Sequence, residues 1–123
     1  MVSHTYAALA VAQVERCVLV QQVSEASFLQ QVKALAYLHG WAFHHATPSM
    51  TSKGKWITTG AVGFPDLVLA HRARGLIFAE LKSAKGKPTD AQLDWMARIG
   101  PYAECYLWRP DDILDIERRL SQC

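Results

Sequence analysis

The sequence is poor in cysteine: Cys17, Cys105 and Cys123 are the only three in 123 residues, and no CxxC or CxH spacing occurs. An odd, widely scattered set argues against a disulfide framework and against a zinc site, and leaves reduced thiols in a cytoplasmic protein as the expectation. Uninterrupted apolar runs are also missing. The longest candidate, Tyr6 to Val20, is broken by Gln13, Glu15 and Arg16, so no membrane span is expected, and no signal peptide is evident. Nor is there an excess of one charge. Thirteen Lys and Arg against eleven Asp and Glu leave a net charge of +2, which by itself names no partner. Internal repeats and low-complexity tracts are absent.

What is present is one domain's worth of chain, half of it apolar, enough for a modest core. Basic residues gather in the middle third (Lys53, Lys55, Arg72, Arg74, Lys82, Lys85 and Lys87), where a basic face or a merely solvated surface are both open readings. Residues 1–23 read as a helical segment of unassigned role, with Val11, Val14 and Val18 at helical spacing; residues 24–123 read as the domain proper. Ser24 is an N-cap for a helix to about His39, ended by Gly40. Phe28, Leu29, Val32, Leu35 and Ala36 form its apolar stripe, and Glu25 lies on that stripe. Strands are expected at 41–46, 64–70, 76–83 and 103–108, with a long loop or open hairpin over 47–63. Thr89 and Gln92 make a capping box for a helix to about Ile99. Asp111 caps a last helix with Ile113, Ile116 and Leu120 on one face. The order predicts an α/β fold with a mixed sheet and helices on both sides.

Three charged groups stand where a buried sheet should have none. Asp66 is set in Gly63-Phe64-Pro65-Asp66-Leu67-Val68-Leu69, and Glu80 and Lys82 in Leu76-Ile77-Phe78-Ala79-Glu80-Leu81-Lys82. Two residues apart in a strand, Glu80 and Lys82 share a face, roughly 6–7 Å from one another. A hairpin that brings Asp66 beside them would converge two carboxylates and an ammonium. That set suits metal-assisted phosphodiester hydrolysis, because Mg²⁺ takes a few hard oxygen ligands and keeps several waters. The Leu81 carbonyl is a further candidate ligand, and so is Glu25 from the preceding helix. Lys82 is placed to orient water and stabilise developing negative charge.

Each residue also has a plainer reading. Asp66 would serve as a turn residue after proline, Glu80 and Lys82 as an ion pair on an exposed edge, and Glu25 as a favourable charge at a helix N-terminus. The capping box alone accounts for Gln92. His44 and His45 are adjacent in a strand and face opposite sides, so both cannot enter one site; His39 reads as structural. Trp41, Trp95 and Trp108 read as core, while Trp56 in the long loop is equally a core residue or a base-stacking platform.

The pattern Pro65-Asp66 followed by Glu80-Leu81-Lys82 resembles the PD-(D/E)XK nuclease superfamily. The wider pattern resembles its VRR-NUC branch, the virus-type replication-repair nucleases, over roughly residues 24–120. That likeness rests on Ser24-Glu25, Gly40-Trp41, Gly63-Phe64-Pro65-Asp66-Leu67, Ala79-Glu80-Leu81-Lys82, Thr89 with Gln92, and Trp108-Arg109-Pro110. The resemblance implies a restriction-endonuclease-like αβββαβ core with a mixed four-stranded sheet flanked by helices. It implies Mg²⁺ as cofactor, with Mn²⁺ able to substitute, and Asp66 and Glu80 as metal carboxylates. Lys82 would be the catalytic lysine, Glu25 the helix acid and Gln92 the glutamine that follows. Lys53, Lys55, Lys85 and Lys87 become the candidate nucleic-acid contacts. The expected function is a DNA endonuclease acting on branched DNA such as a Holliday junction, or on duplex, in a bacterial or phage-infected cell. A homodimer is expected from the branch's stand-alone members and from the two-fold symmetry of such substrates, with Val11, Val14, Val18 and Leu19 as spare apolar residues for its interface. The competing expectations are a non-catalytic nucleic-acid-binding module on the same fold, and a structural subunit of a repair or phage complex.

Overall fold

The computed structural model describes residues 23–46, 48–50, 52–54, 56–58 and 60–122. The N-terminal helical segment, the apolar residues expected to serve a dimer interface, and Lys55 lie outside them. Helix α1 spans Glu25–Leu38. The Ser24 hydroxyl accepts from the Ser27 N–H at 3.1 Å, satisfying one of the donors a helix start leaves free. At the other end the Trp41 N–H donates to the Ala36 carbonyl at 2.9 Å and the Gly40 N–H to Tyr37 at 3.1 Å. This Schellman closure needs a left-handed residue, and Gly40 supplies it at φ 79°.

Strand β1 (Ala42–His45) follows, then β2 (Pro48–Met50) and β3 (Trp56–Thr58), β4 (Leu67–His71) and β5 (Gly75–Leu81). Helix α2 (Asp90–Ile99) crosses over to β6 (Glu104–Trp108), and a 3₁₀ turn at Pro110–Asp112 leads into α3 (Ile113–Ser121). Four strands make the main sheet in the order β1-β4-β5-β6, while β2 and β3 form a separate antiparallel hairpin. The first three main strands pair antiparallel, and β5 and β6 pair parallel through the α2 crossover. This is the predicted mixed four-stranded sheet flanked by helices. Set apart from the small hairpin, its elements run αβββαβ, and the loop read over 47–63 takes the open-hairpin alternative.

Alternation along the strands sorts side chains to two faces. Leu67 and Leu69 on β4, and Ile77, Ala79 and Leu81 on β5, are buried with Phe28, Val32 and Ala36 of α1 and Ile116 and Leu120 of α3. Trp41 and Trp108 close the ends of this core, the Trp41 indole N–H donating to the Leu120 carbonyl at 2.8 Å. The opposite face carries Phe78 and Glu80, next to α2.

Local differences from the sequence reading have simple causes. Glu25 is exposed in the first turn of α1 and not part of the buried stripe, which runs through Phe28, Val32 and Ala36. Leu76, expected in a strand apolar on both faces, is exposed near the hairpin turn that starts β5. The last helix takes Asp112 at its N-cap because Pro110–Asp112 close a 3₁₀ turn first, and the Asp112 carboxylate accepts from the Arg109 N–H at 2.8 Å. Arg74 is no free phosphate contact: its guanidinium donates to the carbonyls of His39 and Leu120. His39 is structural as expected, its Nε2 lying 2.8 Å from the Glu117 carboxylate.

Candidate active site

Asp66 and Glu80 meet because of the β4–β5 register. Leu67 pairs with Ala79, so one step back along β4 and one step on along β5 put Asp66 opposite Glu80 on the α2 face. Asp66 sits just before β4, after the buried Pro65, and accepts from the Leu81 N–H at 3.0 Å. That bond turns the start of β4 into a fixed seat for its carboxylate. Glu80 lies on a central strand, with only 1% of its surface exposed. The exposed edge-strand reading of Glu80 and Lys82 therefore falls.

Glu80 Oε1 accepts from the Gln92 side-chain amide at 2.8 Å, and Lys82 Nζ approaches it at 3.6 Å. Glu80 Oε2 is buried and meets no protein donor. A buried carboxylate with one oxygen orphaned is costly in its charged form, by several kcal/mol in typical cases. The structure reflects this: burial, and then the neighbouring Asp66 carboxyl, push the Glu80 pKa up from 4.5 to about 8, against the pull of Lys82. The two carboxyls stand close enough to share a proton, so at neutral pH the pair holds one when no cation is there to replace it.

Gln92 serves two partners at once. Its Oε1 accepts from the Thr89 N–H at 2.9 Å and the Thr89 hydroxyl accepts from the Gln92 N–H at 3.2 Å, completing the predicted capping box. Its Nε2 is then left to donate to Glu80, so helix cap and site contact are not alternatives. The approach of α2 depends on Gly63, at φ 84°, where a Cβ would lie 2.5 Å from the Ala91 carbonyl carbon. Phe64 packs edge-on against both Phe78 and Trp95, and the Trp95 indole N–H donates to the Val62 carbonyl at 3.2 Å. The 60–64 loop is thus pinned over the α2 face beside the carboxyl pair.

No family model matches the chain, and neither does any curated protein or solved structure. The site has to be read from its own geometry.

Asp66 borders two cavities. One, of about 220 Å³, is lined also by Glu25, Leu29, His45 and Leu81. The other, of about 400 Å³, is lined also by His44, Gln92 and the 60–64 loop. The two histidines do face opposite sides of β1, as their adjacency requires, yet each reaches a cavity next to Asp66. Sequence reasoning set both aside; only the pairing of β1 with β4, which puts His45 opposite Leu67, reveals them. Glu25 shares a cavity with Asp66, but among the described residues no group of three or more His, Cys, Asp or Glu side chains is arranged to hold a metal ion.

Of the other predicted residues, Lys53, Lys85 and Lys87 are exposed or partly so, Lys53 in the β2–β3 hairpin and the other two in the loop between β5 and α2. Two residues given no role by the sequence bear on the site, one by holding the loop after Lys82 and the other as an electrostatic neighbour of Glu80. One Arg109 guanidinium nitrogen donates to three carbonyls of that loop, at 2.8 Å to Ser83, 3.4 Å to Ala84 and 2.6 Å to Gly86. Cys105 on β6 is a free, half-buried thiol whose pKa is pushed up by burial and then by Glu80. The Trp108-Arg109-Pro110 pattern marks Arg109 without saying what it holds, and no local motif singles out Cys105.

Proposed function

We propose that the protein is a divalent-metal-dependent nuclease that hydrolyses phosphodiester bonds in DNA. The observation that carries this reading is Glu80: a carboxyl buried in a central strand, paired with a second carboxyl, with one oxygen that meets no protein donor. Without a cation, only a proton shared with Asp66 answers that oxygen. A hard cation would do so too, and Mg²⁺ needs no more than one or two carboxylates from a protein. Asp66 and Glu80 would hold it, with the Leu81 carbonyl and Glu25 as further candidate donors and Mn²⁺ as a substitute. Bound there, the ion would supply positive charge to the phosphate and lower the pKa of water.

The chain's own groups do the rest. Gln92 fixes the Glu80 side chain from α2, and the Leu81 N–H fixes Asp66. Lys82, largely buried beside Glu80, is placed to orient the attacking water and to balance the charge that builds on the phosphate. Arg109 holds the loop that follows Lys82, which carries Lys85 and Lys87 on the surface as phosphate contacts. Lys53 is a more distant candidate. The VRR-NUC resemblance extends the proposal to branched DNA and to a C2 homodimer presenting two such sites.

The test is a labelled panel of duplex, nicked, flapped and four-way-junction DNA incubated with Mg²⁺, Mn²⁺ or EDTA, alongside Mn²⁺ binding followed by electron paramagnetic resonance. The wild type should bind the ion and cut at least one substrate; Asp66→Asn and Glu80→Gln should lose both. Ion-independent cutting would refute the metal site, and DNA binding with no metal uptake and no cutting would refute the nuclease and leave a nucleic-acid-binding module.

A further inference from the structure

The two flanks of the carboxyl pair differ in chemistry. Across the sheet, the order β1-β4-β5-β6 lays out His44, Asp66, Glu80 and Arg109 in sequence. On the β5–β6 side stand Lys82 and the Arg109-held loop with Lys85 and Lys87. On the β1–β4 side lies the cavity of about 400 Å³, lined by Asp66 and Gln92 together with His44, Ala46, Val62 and Phe64. Among the described residues that line it, none is a lysine or arginine. Phosphates are bound by cations, so this flank suits the uncharged part of a nucleotide.

Its size falls in the range of small-molecule sites, roughly 300–1,000 Å³, and its walls combine apolar surface with a few polar groups, as such sites do. Val62 is the telling residue. It is 83% exposed, yet its backbone is tied down by the Trp95 indole and by the close Gly63–Ala91 approach. Its side chain stands at the lip of the cavity, beside the proposed scissile position, where a ligand can reach it. It would pack on the face or edge of a base, with the imidazole of His44 across the cavity.

We infer that this cavity is a subsite for one unpaired nucleobase adjacent to the cleaved phosphate, so that the enzyme selects DNA with a single-stranded or splayed nucleotide at that position. The inference rests on the nuclease reading and specifies its substrate. A base stacked in continuous duplex cannot enter the cavity without leaving its partner, which makes paired DNA the poorer ligand.

The experiment places 2-aminopurine in turn at each nucleotide around the branch of a flapped DNA and records its emission when the protein binds with Ca²⁺ in place of Mg²⁺. Emission should rise at one or two adjacent positions, where the base leaves its stack for an aliphatic pocket. Val62→Asp should abolish the rise, whereas Tyr102→Ser, an exposed residue elsewhere, should keep it. Replacing the base at the responding position by an abasic site should weaken wild-type binding roughly five- to hundredfold, the span expected for packing one base on protein side chains, and should leave Val62→Asp binding unchanged. DNA binding with no local rise, or a rise that survives Val62→Asp, overturns the subsite while leaving the nuclease standing. Failure of the wild type to bind any DNA overturns both.

Discussion

Replacing Glu80 by glutamine removes the one ionisable side chain that is fully buried among the described residues while keeping the shape. The new side chain can still accept from Gln92 Nε2, and its own amide can donate toward Asp66, where the wild-type pair needs a shared proton. The consequence for stability depends on pH. The folded Glu80 pKa of about 8 lies above its ordinary 4.5, because burial and Asp66 disfavour the anion. The unfolded chain therefore gives up this proton first. Stability from the protonated carboxyl is fully present below pH 4.5 and is lost as pH rises through 8, at up to about 1.4 kcal/mol per pH unit between them. Between about pH 5.5 and 7.5 the metal-free wild type should lose about 2 kcal/mol relative to Glu80→Gln. Urea unfolding in EDTA at the two pH values measures this, and taking the difference between proteins cancels every other titrating group. Saturating Mg²⁺ should return the wild-type loss without helping the mutant, because an ion takes the proton's place. Parallel pH dependences for the two proteins would refute the buried-dyad account, and with it the main support for a metal site.

Lys82→Ala should cut turnover by orders of magnitude while DNA affinity in Ca²⁺ changes little; an equal fall in both would make Lys82 a phosphate-binding residue. Gln92→Ala should cost about 1–2 kcal/mol in thermal unfolding, because the cap on Thr89 and the bond to Glu80 go together; a neutral substitution would mean that neither bond persists in solution. Arg109→Met should speed hydrogen exchange across Ser83–Gly86 and cost about 1.5–3 kcal/mol, as expected for hydrogen bonds from a charged donor; unchanged exchange would contradict the staple.

The fold was legible where a pattern is local. Capping signals placed α1 and α2 to within a residue, and the basic turn at 71–75 separated the apolar runs of β4 and β5, because these depend on near neighbours in the chain. Asp66, Glu80 and Lys82 stood out for a related reason: a charge in an apolar strand has few explanations. What was not legible depends on register. Whether His44 and His45 reach the site is decided by β1 pairing with β4, well over a dozen residues further along. Arg109 reads as a turn residue until the β5–α2 loop folds back onto the end of β6. Glu25 shows the limit from the other side, since helical spacing put it on the stripe while the first turn of α1 overhangs the core and leaves it exposed. Gln92 was ambiguous for want of geometry: only the structure shows its carbonyl oxygen capping the helix and its amide nitrogen free for Glu80.

The two faces of the sheet divide the work, which explains how so short a chain tolerates a costly site. The α1–α3 face is wholly apolar where buried, and it supplies nearly all of the core. The α2 face is looser: none of the residues of α2 is fully buried, and the helix is held by its cap, the Gly63–Ala91 contact, the Phe64–Trp95 pair and the Gln92–Glu80 bond. A buried carboxyl placed in the main core would be surrounded by groups unable to answer its charge. On the α2 face it meets an amide, an ammonium and a second carboxyl, and that second carboxyl, Asp66, borders two cavities. The strand carries both assignments by alternation alone: Ile77, Ala79 and Leu81 anchor the fold while Glu80, one residue out of phase, faces α2 and the proposed metal site. Substitutions at Glu80 or Asp66 should then alter chemistry without unfolding the chain, because the face that holds the protein together does not contain them.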